Sequence, residues 1–270
     1  MKIDANRPNP VWRRIDIPYY PMRRRFFVDE FENGSAILRG EAAHHLGRVL
    51  RAEPGQLYEL SDGQRLWLAR TESVRRNEVE FTLVEELPSV VAPVRIELLL
   101  AIVKFDRFEW ALEKATELGA DKISPLAADR SEKGLIAAAE KRAERWKKIL
   151  AESAQQARRL RVPGLTDAAK PRDAFRNSAA PLKLMFSERA GARPLRDALD
   201  PGAIAFPENE SARVAIAIGP EGGWTDAEFA ASNECGCAEV ALGANILRTE
   251  TAVCAALAAV QYAFGAFRKL

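Results

Sequence analysis

Histidine and cysteine are scarce in this chain, two and three respectively among 270 residues. The histidines, His44 and His45, lie far upstream of Cys235 and Cys237. The latter two form a CxC without a second ligand pair, so zinc-site spacing is missing and no metal is expected. The CxC reads instead as two small residues in a turn and a strand, with Cys254 buried in a helix. So few thiols fit a reducing compartment. No apolar run reaches the roughly 18 residues of a membrane span. The N-terminus carries charges and prolines but no apolar core of a secretion signal. These absences point to the cytoplasm. Also missing are a catalytic triad, a paired-carboxylate motif, a Gly-Lys-Ser/Thr phosphate loop, a GxGxxG loop, any internal repeat and any low-complexity tract.

What is present is ordinary for a soluble protein: 47% hydrophobic and 29% charged residues. That is enough apolar side chain for a sizeable core without disulfide or metal staples, and the length suits two domains. The net charge of +2 hides an uneven distribution. Residues 1–28 hold seven Lys/Arg against two Asp, and residues 129–161 hold ten Lys/Arg against five Asp/Glu. Residues 185–240 hold four Arg against ten Asp/Glu. A polyanion partner would produce this pattern, but so would solvated helix faces and a tail. Charge alone leaves both open.

Residues 1–22 read as an irregular, proline-rich arm. From Arg25 to about Leu87, short apolar alternations are broken by turn signals. Arg25–Val28, Gln56–Leu60, Leu66–Arg70 and Glu78–Val84 read as strands, Glu41–Arg51 as a short helix, and Ser61–Gln64 as a turn. This texture predicts a small β-barrel-like domain over 23–88, with Glu85–Pro93 as the linker.

The pattern then changes to α/β, over 94–270. Val94–Val103 is a nearly continuous apolar run, as in a strand covered on both faces. Asp106, with Glu109 three residues on, predicts the N-cap of a helix that Gly119 stops. A short strand follows at Lys122–Leu126, then a long helix at Glu140–Leu160 with one apolar stripe. Leu182–Phe186, Val214–Ile218 and Glu239–Leu242 read as three more strands, each ending in a glycine-rich or polar loop. Thr225 and Glu228 spell a capping box, and an alanine-rich helix runs from Thr249 to about Phe267. In parallel sheets of this kind ligands bind at the carboxyl ends of strands. Phe186–Ala190, Gly219–Gly223 and Gly243–Arg248 are therefore expected side by side at one rim.

Two of these loops carry the strongest signals. Ile218-Gly219-Pro220-Glu221-Gly222-Gly223 is a tight turn whose backbone groups can approach a ligand closely, with no cation suited to phosphate. Leu242-Gly-Ala-Asn-Ile-Leu-Arg-Thr-Glu-Thr251 turns into the last helix. There Thr249 and Thr251 can cap, while Arg248 opposes the helix dipole and calls for an anionic partner. Arg130, Gln156, Arg158, Arg159 and Arg161 form a third group able to line a phosphate-binding face. His44, His45, Arg48 and Arg51, with Arg23, Arg24 and Arg25, form a fourth. For each residue of the third group taken alone, a structural role is the favoured reading, and His45 reads otherwise as a half-buried, hydrogen-bonded ring.

Over Arg25 to Phe264 the sequence resembles the bacterial 16S rRNA uracil-N3 methyltransferases of the SPOUT superfamily, the RsmE type. The resemblance is carried by Arg25-Phe-Phe-Val, His45-Leu-Gly-Arg-Val-Leu-Arg51, Lys104 with Glu113-Lys-Ala-Thr-Glu-Leu-Gly119, and Pro125…Arg130-Ser131. It continues through Gln156…Arg159…Val162-Pro163, Gly219–Gly223 and Leu247-Arg-Thr-Glu-Thr-Ala252. Ordered motifs at compatible spacing are far more specific than the glycine-rich turn alone.

The resemblance implies a PUA-like RNA-binding domain followed by a SPOUT domain whose C-terminal chain forms a trefoil knot, a threading that periodicity does not reveal. It also implies a homodimer, S-adenosylmethionine as cofactor, and a uridine of 16S rRNA as substrate, within the assembled small subunit. Carried over by position, the cofactor site comprises Phe186, Ser187, Glu188, Ile218, Gly219, Pro220, Glu221, Gly222, Gly223, Leu242, Gly243, Asn245, Ile246, Leu247, Thr249 and Thr251. Arg248 and Arg130 are the expected catalytic residues, and Arg23, Arg24, Arg25, His45, Arg48, Arg51, Lys104 and Arg159 the expected RNA contacts. Asn245 stands where the family often has arginine, Gln155 where glutamate is common, and Arg158 where a small residue is usual. Methyl transfer from a sulfonium needs alignment and electrostatics rather than a triad or a metal, which fits the absences noted above. A ribose 2′-O-methyltransferase on the same scaffold and a catalytically silent RNA-binding protein are the competing readings.

Overall fold

The computed structural model describes residues 24–89, 92–199 and 211–265. The expected arm over 1–22, Arg23 and the chain beyond 265 lie outside the described residues.

The N-terminal part is built on one five-stranded sheet. Its elements are β1 (Arg25–Phe27), β2 (Ser35–Arg39), α1 (Gly40–His44), β3 (Leu57–Ser61), β4 (Leu66–Val74) and β5 (Glu78–Leu87), in the sheet order β1-β3-β4-β5-β2. Only the β1–β3 pair is parallel. Phe26, Leu38, Leu46, Leu60, Val79 and Phe81 fill its core. The predicted single helix over Glu41–Arg51 is instead α1 followed by a π-helical turn at His45–Val49. Arg51 lies beyond that turn in the left-handed region at φ 52°, so it does not continue a helical face with His44 and Arg48. Strand β2 was not anticipated, and β5 runs on into the segment expected to be linker.

The rest of the chain forms a seven-stranded, wholly parallel sheet between helices. In chain order it comprises β6 (Val94–Ala101), α2 (Phe105–Glu117), β7 (Ala120–Leu126), α3 (Lys133–Gln156), β8 (Gly164–Leu165), α4 (Pro171–Asn177) and β9 (Leu182–Phe186). These are followed by β10 (Arg193–Pro194), α5 (Leu195–Ala198), β11 (Ala212–Ile218), α6 (Asp226–Glu234), β12 (Cys237–Ala241) and α7 (Thr249–Ala263). The sheet order is β10-β12-β9-β11-β6-β7-β8.

Side chains alternate across the strands, and both faces are buried. Leu98, Leu100, Leu184, Phe186, Ile216 and Ile218 pack on α2, α3 and α7 through Phe108, Leu112, Trp146, Leu150, Val253 and Leu257. Leu99, Ala101, Met185, Ala215 and Ala217 pack on α4 and α6 through Phe175 and Phe229. Double coverage is why these strands read as continuous apolar runs rather than as alternation.

Two helix boundaries differ from expectation. The N-cap of α2 is Lys104, so Asp106 sits inside the first turn. Glu109 takes Arg142 and Arg145 of α3 instead of closing a box. Helix α3 begins at Lys133 and ends at Gln156, both earlier than the stripe suggested. Its basic residues are largely matched within the fold: Arg142 and Arg145 with Glu109, Lys147 with Glu144, Lys148 with Glu41. Much of the positive charge counted over 129–161 is thus paired.

Candidate active site

The carboxyl ends of β9, β11 and β12 are adjacent in the sheet, and the loops leaving them enclose one pocket. Its walls are Phe186–Glu188 after β9, Ile218–Glu221 with Gly223 and Trp224 after β11, and Leu242–Leu247 after β12, closed by Thr249 and Ala252 of α7. The three loops expected at one rim are therefore brought together.

The glycine-rich turn is shaped by its neighbours. A Cβ on Gly219 would lie 2.9 Å from Cε2 of Trp224, so glycine is the residue that lets the indole close over the strand end. The buried Trp224 donates from Nε1 to the Phe186 carbonyl at 2.9 Å, tying the β11 loop to the end of β9. Gly223 takes φ 69°, in the left-handed region that favours glycine. From outside, Arg130 Nη1 donates to the Gly222 carbonyl at 2.8 Å, and Arg107 of α2 pairs with Glu221 at 2.9 Å. The capping box of α6 is present as the sequence spelled it, with Thr225 and Glu228 exchanging bonds.

Thr249, 4% exposed, does not cap its helix. As the first residue of α7 it turns inward, and its hydroxyl donates to the Gly219 carbonyl at 3.1 Å. Thr251, expected at the site, is two residues further round the helix and exposed, so it does not line the pocket. Gly222 is also outside it, because its open side is covered by the Arg130 side chain, 3.2 Å from where a Cβ would stand. The other cofactor positions named from the sequence all line the pocket. Trp224, Ala244 and Ala252 were not named. The position of Trp224 directly after the turn was the available signal, and Ala244 and Ala252 carry no chemistry a sequence would flag.

Arg248, at the N-cap of α7, is exposed, and among the described residues no group bonds its guanidinium. Arg24, His45, Arg48, Arg51 and Lys104 are exposed as well. Two expected RNA contacts are not available. Arg25 is 9% exposed and held by Glu59 and by the Arg158 carbonyl. Arg159 donates to the Thr116 carbonyl at 3.0 Å and to that of Ala120, stitching the end of α3 to the α2–β7 turn. Burial pulls both guanidinium pKa values below the ordinary value. Sequence shows only that an arginine is present, not that carbonyls and a carboxylate already surround it.

Comparison with known proteins places this geometry. Residues 91–261 match the model of the RNA methyltransferase domain. The chain is 31% identical to the ribosomal RNA small subunit methyltransferase E of Bacillus subtilis, over 83% of this chain and 89% of that protein. The chain belongs to the ribosomal RNA small subunit methyltransferase E family. The Synechocystis protein of the same name is also 31% identical, over 80% of this chain and 69% of that protein. Among solved structures, ribosomal RNA small subunit methyltransferase E from Neisseria gonorrhoeae, bound to S-adenosylmethionine, is similar with a TM-score of 0.76 and 30% identity. That match covers 89% of this chain and 98% of that one. A Legionella pneumophila protein described as a methyltransferase with bound cofactor gives 0.75 at 30% identity, covering 90% and 98%. The pocket lies at the C-terminal ends of β9, β11 and β12, inside the matched domain.

Proposed function

We propose that the protein transfers the methyl group of S-adenosylmethionine to N3 of a specific uridine in 16S rRNA of the small ribosomal subunit. The observation that carries this reading is the pocket of three loops at the ends of β9, β11 and β12, with the uncompensated cation of Arg248 beside it. The residues present fit the cofactor. Ile218, Leu242, Leu247 and Trp224 offer apolar walls, exposed backbone at Gly243 offers hydrogen-bonding groups, and Glu188 favours a positive centre. When bound, S-adenosylmethionine supplies an activated methyl group on a sulfonium.

The chain's own work is orientation and charge. Uracil N3 carries a proton and is a poor nucleophile until that proton leaves. Arg248, at the pocket mouth, donates hydrogen bonds to O2 or O4 and stabilises the negative charge that deprotonation leaves on the ring. Arg130 supports the same anionic substrate from the outer side of the glycine-rich turn. Arg24, His45, Arg48, Arg51 and Lys104 contact the RNA backbone and set its register.

In this reading, residues 23–88 are a PUA-like RNA-binding domain and residues 94–270 a SPOUT domain with a C-terminal trefoil knot. The protein acts in the cytoplasm as a homodimer on assembled subunits. The exposed Trp110 of α2 and Tyr262 of α7 lie on two helices that pack together, and pairing would cover aromatics of the kind enriched at interfaces. Among the described residues no helix is long and apolar enough to cross a membrane.

The test incubates the protein with labelled cofactor and either small subunits lacking the modification or naked rRNA, followed by nucleoside mass spectrometry. 3-Methyluridine on subunits is expected. 2′-O-Methyluridine would overturn the target atom, and no methyl transfer together with no cofactor binding would favour a silent RNA-binding protein.

A further inference from the structure

A capping box needs one oxygen of its glutamate; Glu228 uses both. Oε2 accepts from the Thr225 amide at 2.8 Å and from the Thr225 hydroxyl at 3.0 Å, while the Glu228 amide donates to that hydroxyl at 3.3 Å. Oε1 leaves the helix and accepts from the Asp129 amide at 2.9 Å, on the loop between β7 and α3. The Thr225 hydroxyl also lies 3.2 Å from Asp129 Oδ2. The carboxylate is 5% exposed, so water does not substitute for it. One residue on, Arg130 turns back along the glycine-rich turn. Its Nη1 reaches the Gly222 carbonyl at 2.8 Å, and its stem covers the Gly222 face. The bonds close a ring: the helix that follows the turn holds Asp129, Asp129 places Arg130, and Arg130 holds the turn.

We propose that Glu228 is a positioning residue that fixes Arg130 against the glycine-rich turn, so that the two loops on this side of the pocket act as one unit. The proposal rests on the pocket being the cofactor site. Both loops are polar and exposed at their tips, and each alone would sample several conformations. A buried carboxylate that satisfies one amide from each removes that freedom, because moving either loop leaves the carboxylate, which water does not reach, short of a donor.

Glu228→Gln separates this role from capping. The amide keeps one acceptor but sets an NH2 against the other N–H donor, at unchanged volume. Calorimetry with S-adenosylmethionine on wild type, Glu228→Gln, Arg130→Ala and the double variant forms a cycle. Each single change is expected to weaken cofactor binding about three- to tenfold. The double variant is expected to match the weaker single within about twofold, since both act on one path. Additive losses, or a lower Tm with unchanged cofactor affinity, would overturn the proposal. Glu228→Asp serves if the glutamine variant does not fold: it keeps the charge at the helix start and withdraws from Asp129. Hydrogen exchange over 127–131 reads the same link without cofactor, with protection expected to fall in Glu228→Gln. If wild type binds no cofactor, the functional reading fails, and unchanged exchange in that segment would separately reject the role of Glu228.

Discussion

Arg25 and Glu59 stand directly opposite each other on the parallel strands β1 and β3, and both Nη2 and Nε of the arginine reach the same carboxylate oxygen, at 2.8 and 3.1 Å. The other carboxylate oxygen takes Arg158, just past the end of α3, whose carbonyl in turn binds Arg25. Ser61 completes the seam by donating to the Leu160 carbonyl. These residues fasten the first sheet to the second part of the chain. Glu59→Ala would leave the buried guanidinium of Arg25 without a counter-charge. Breaking a buried pair from one side costs roughly 3–5 kcal/mol, and urea unfolding should show a loss of that size. A loss below about 1 kcal/mol, the scale of an exposed pair, would contradict the account.

At the pocket, Gly219→Ala places a methyl where the Trp224 ring already stands, 2.9 Å from Cε2. The indole is fixed by its bond to Phe186, so it cannot retreat without losing that bond. Cofactor affinity is expected to fall about tenfold or more, the scale of a displaced buried ring. The fold should survive, as judged by far-UV circular dichroism. Unchanged affinity would mean that the turn yields more easily than this packing allows.

The parallel sheet was largely legible because its strands are buried on both faces, which writes runs such as Leu98–Ala101 and Ala215–Ile218 into the sequence. The rim of the pocket followed from strand ends and glycines. What the sequence could not carry was pairing. Arg25 and Arg159 look like any surface arginine until Glu59 or the Ala120 carbonyl is seen beside them. Nor does composition reveal that Thr251 faces out while Thr249 faces in, since that turns on where α7 begins. Nor does periodicity reveal the π-helical turn at His45–Val49, whose Leu46 is buried in the core.

Trp224 offers an optical handle on the same wall. Trp224→Phe keeps the packing against Gly219 and deletes the N–H donor, leaving the Phe186 carbonyl without it. The net loss should be about 1 kcal/mol in stability. If the indole borders bound cofactor, tryptophan fluorescence of wild type will change on titration with S-adenosylmethionine, and most of that change will vanish in the variant. An equal response in both would place the responding tryptophan elsewhere.

Cys237 predicts an alkaline limit. Burial in the sheet pushes its thiol up to about 11 from an ordinary 9.0, with nearby Lys183 opposing the shift. Between those values the unfolded chain releases a proton that the folded chain keeps, so stability falls as pH rises through this window. Cys237→Ala should unfold with a shallower pH dependence above about pH 9, the range where a free thiol ionises. Identical slopes for variant and wild type would reject the assignment.

Arg248 is the cation most exposed to refutation. It sits where the helix dipole opposes it, and among the described residues nothing in the chain neutralises it. On the proposed function, the charge that offsets this position is the negative charge that develops on the uracil ring. Arg248→Ala should therefore lower kcat about a hundredfold or more, as loss of a donor to developing charge does. Cofactor affinity should stay within about threefold, because the pocket is built from the three loops and not from this side chain. Arg248→Lys restores the charge without the planar fork and should recover only part of the rate. If turnover and cofactor affinity fell together by similar factors, Arg248 would be shaping the pocket rather than stabilising the uracil anion.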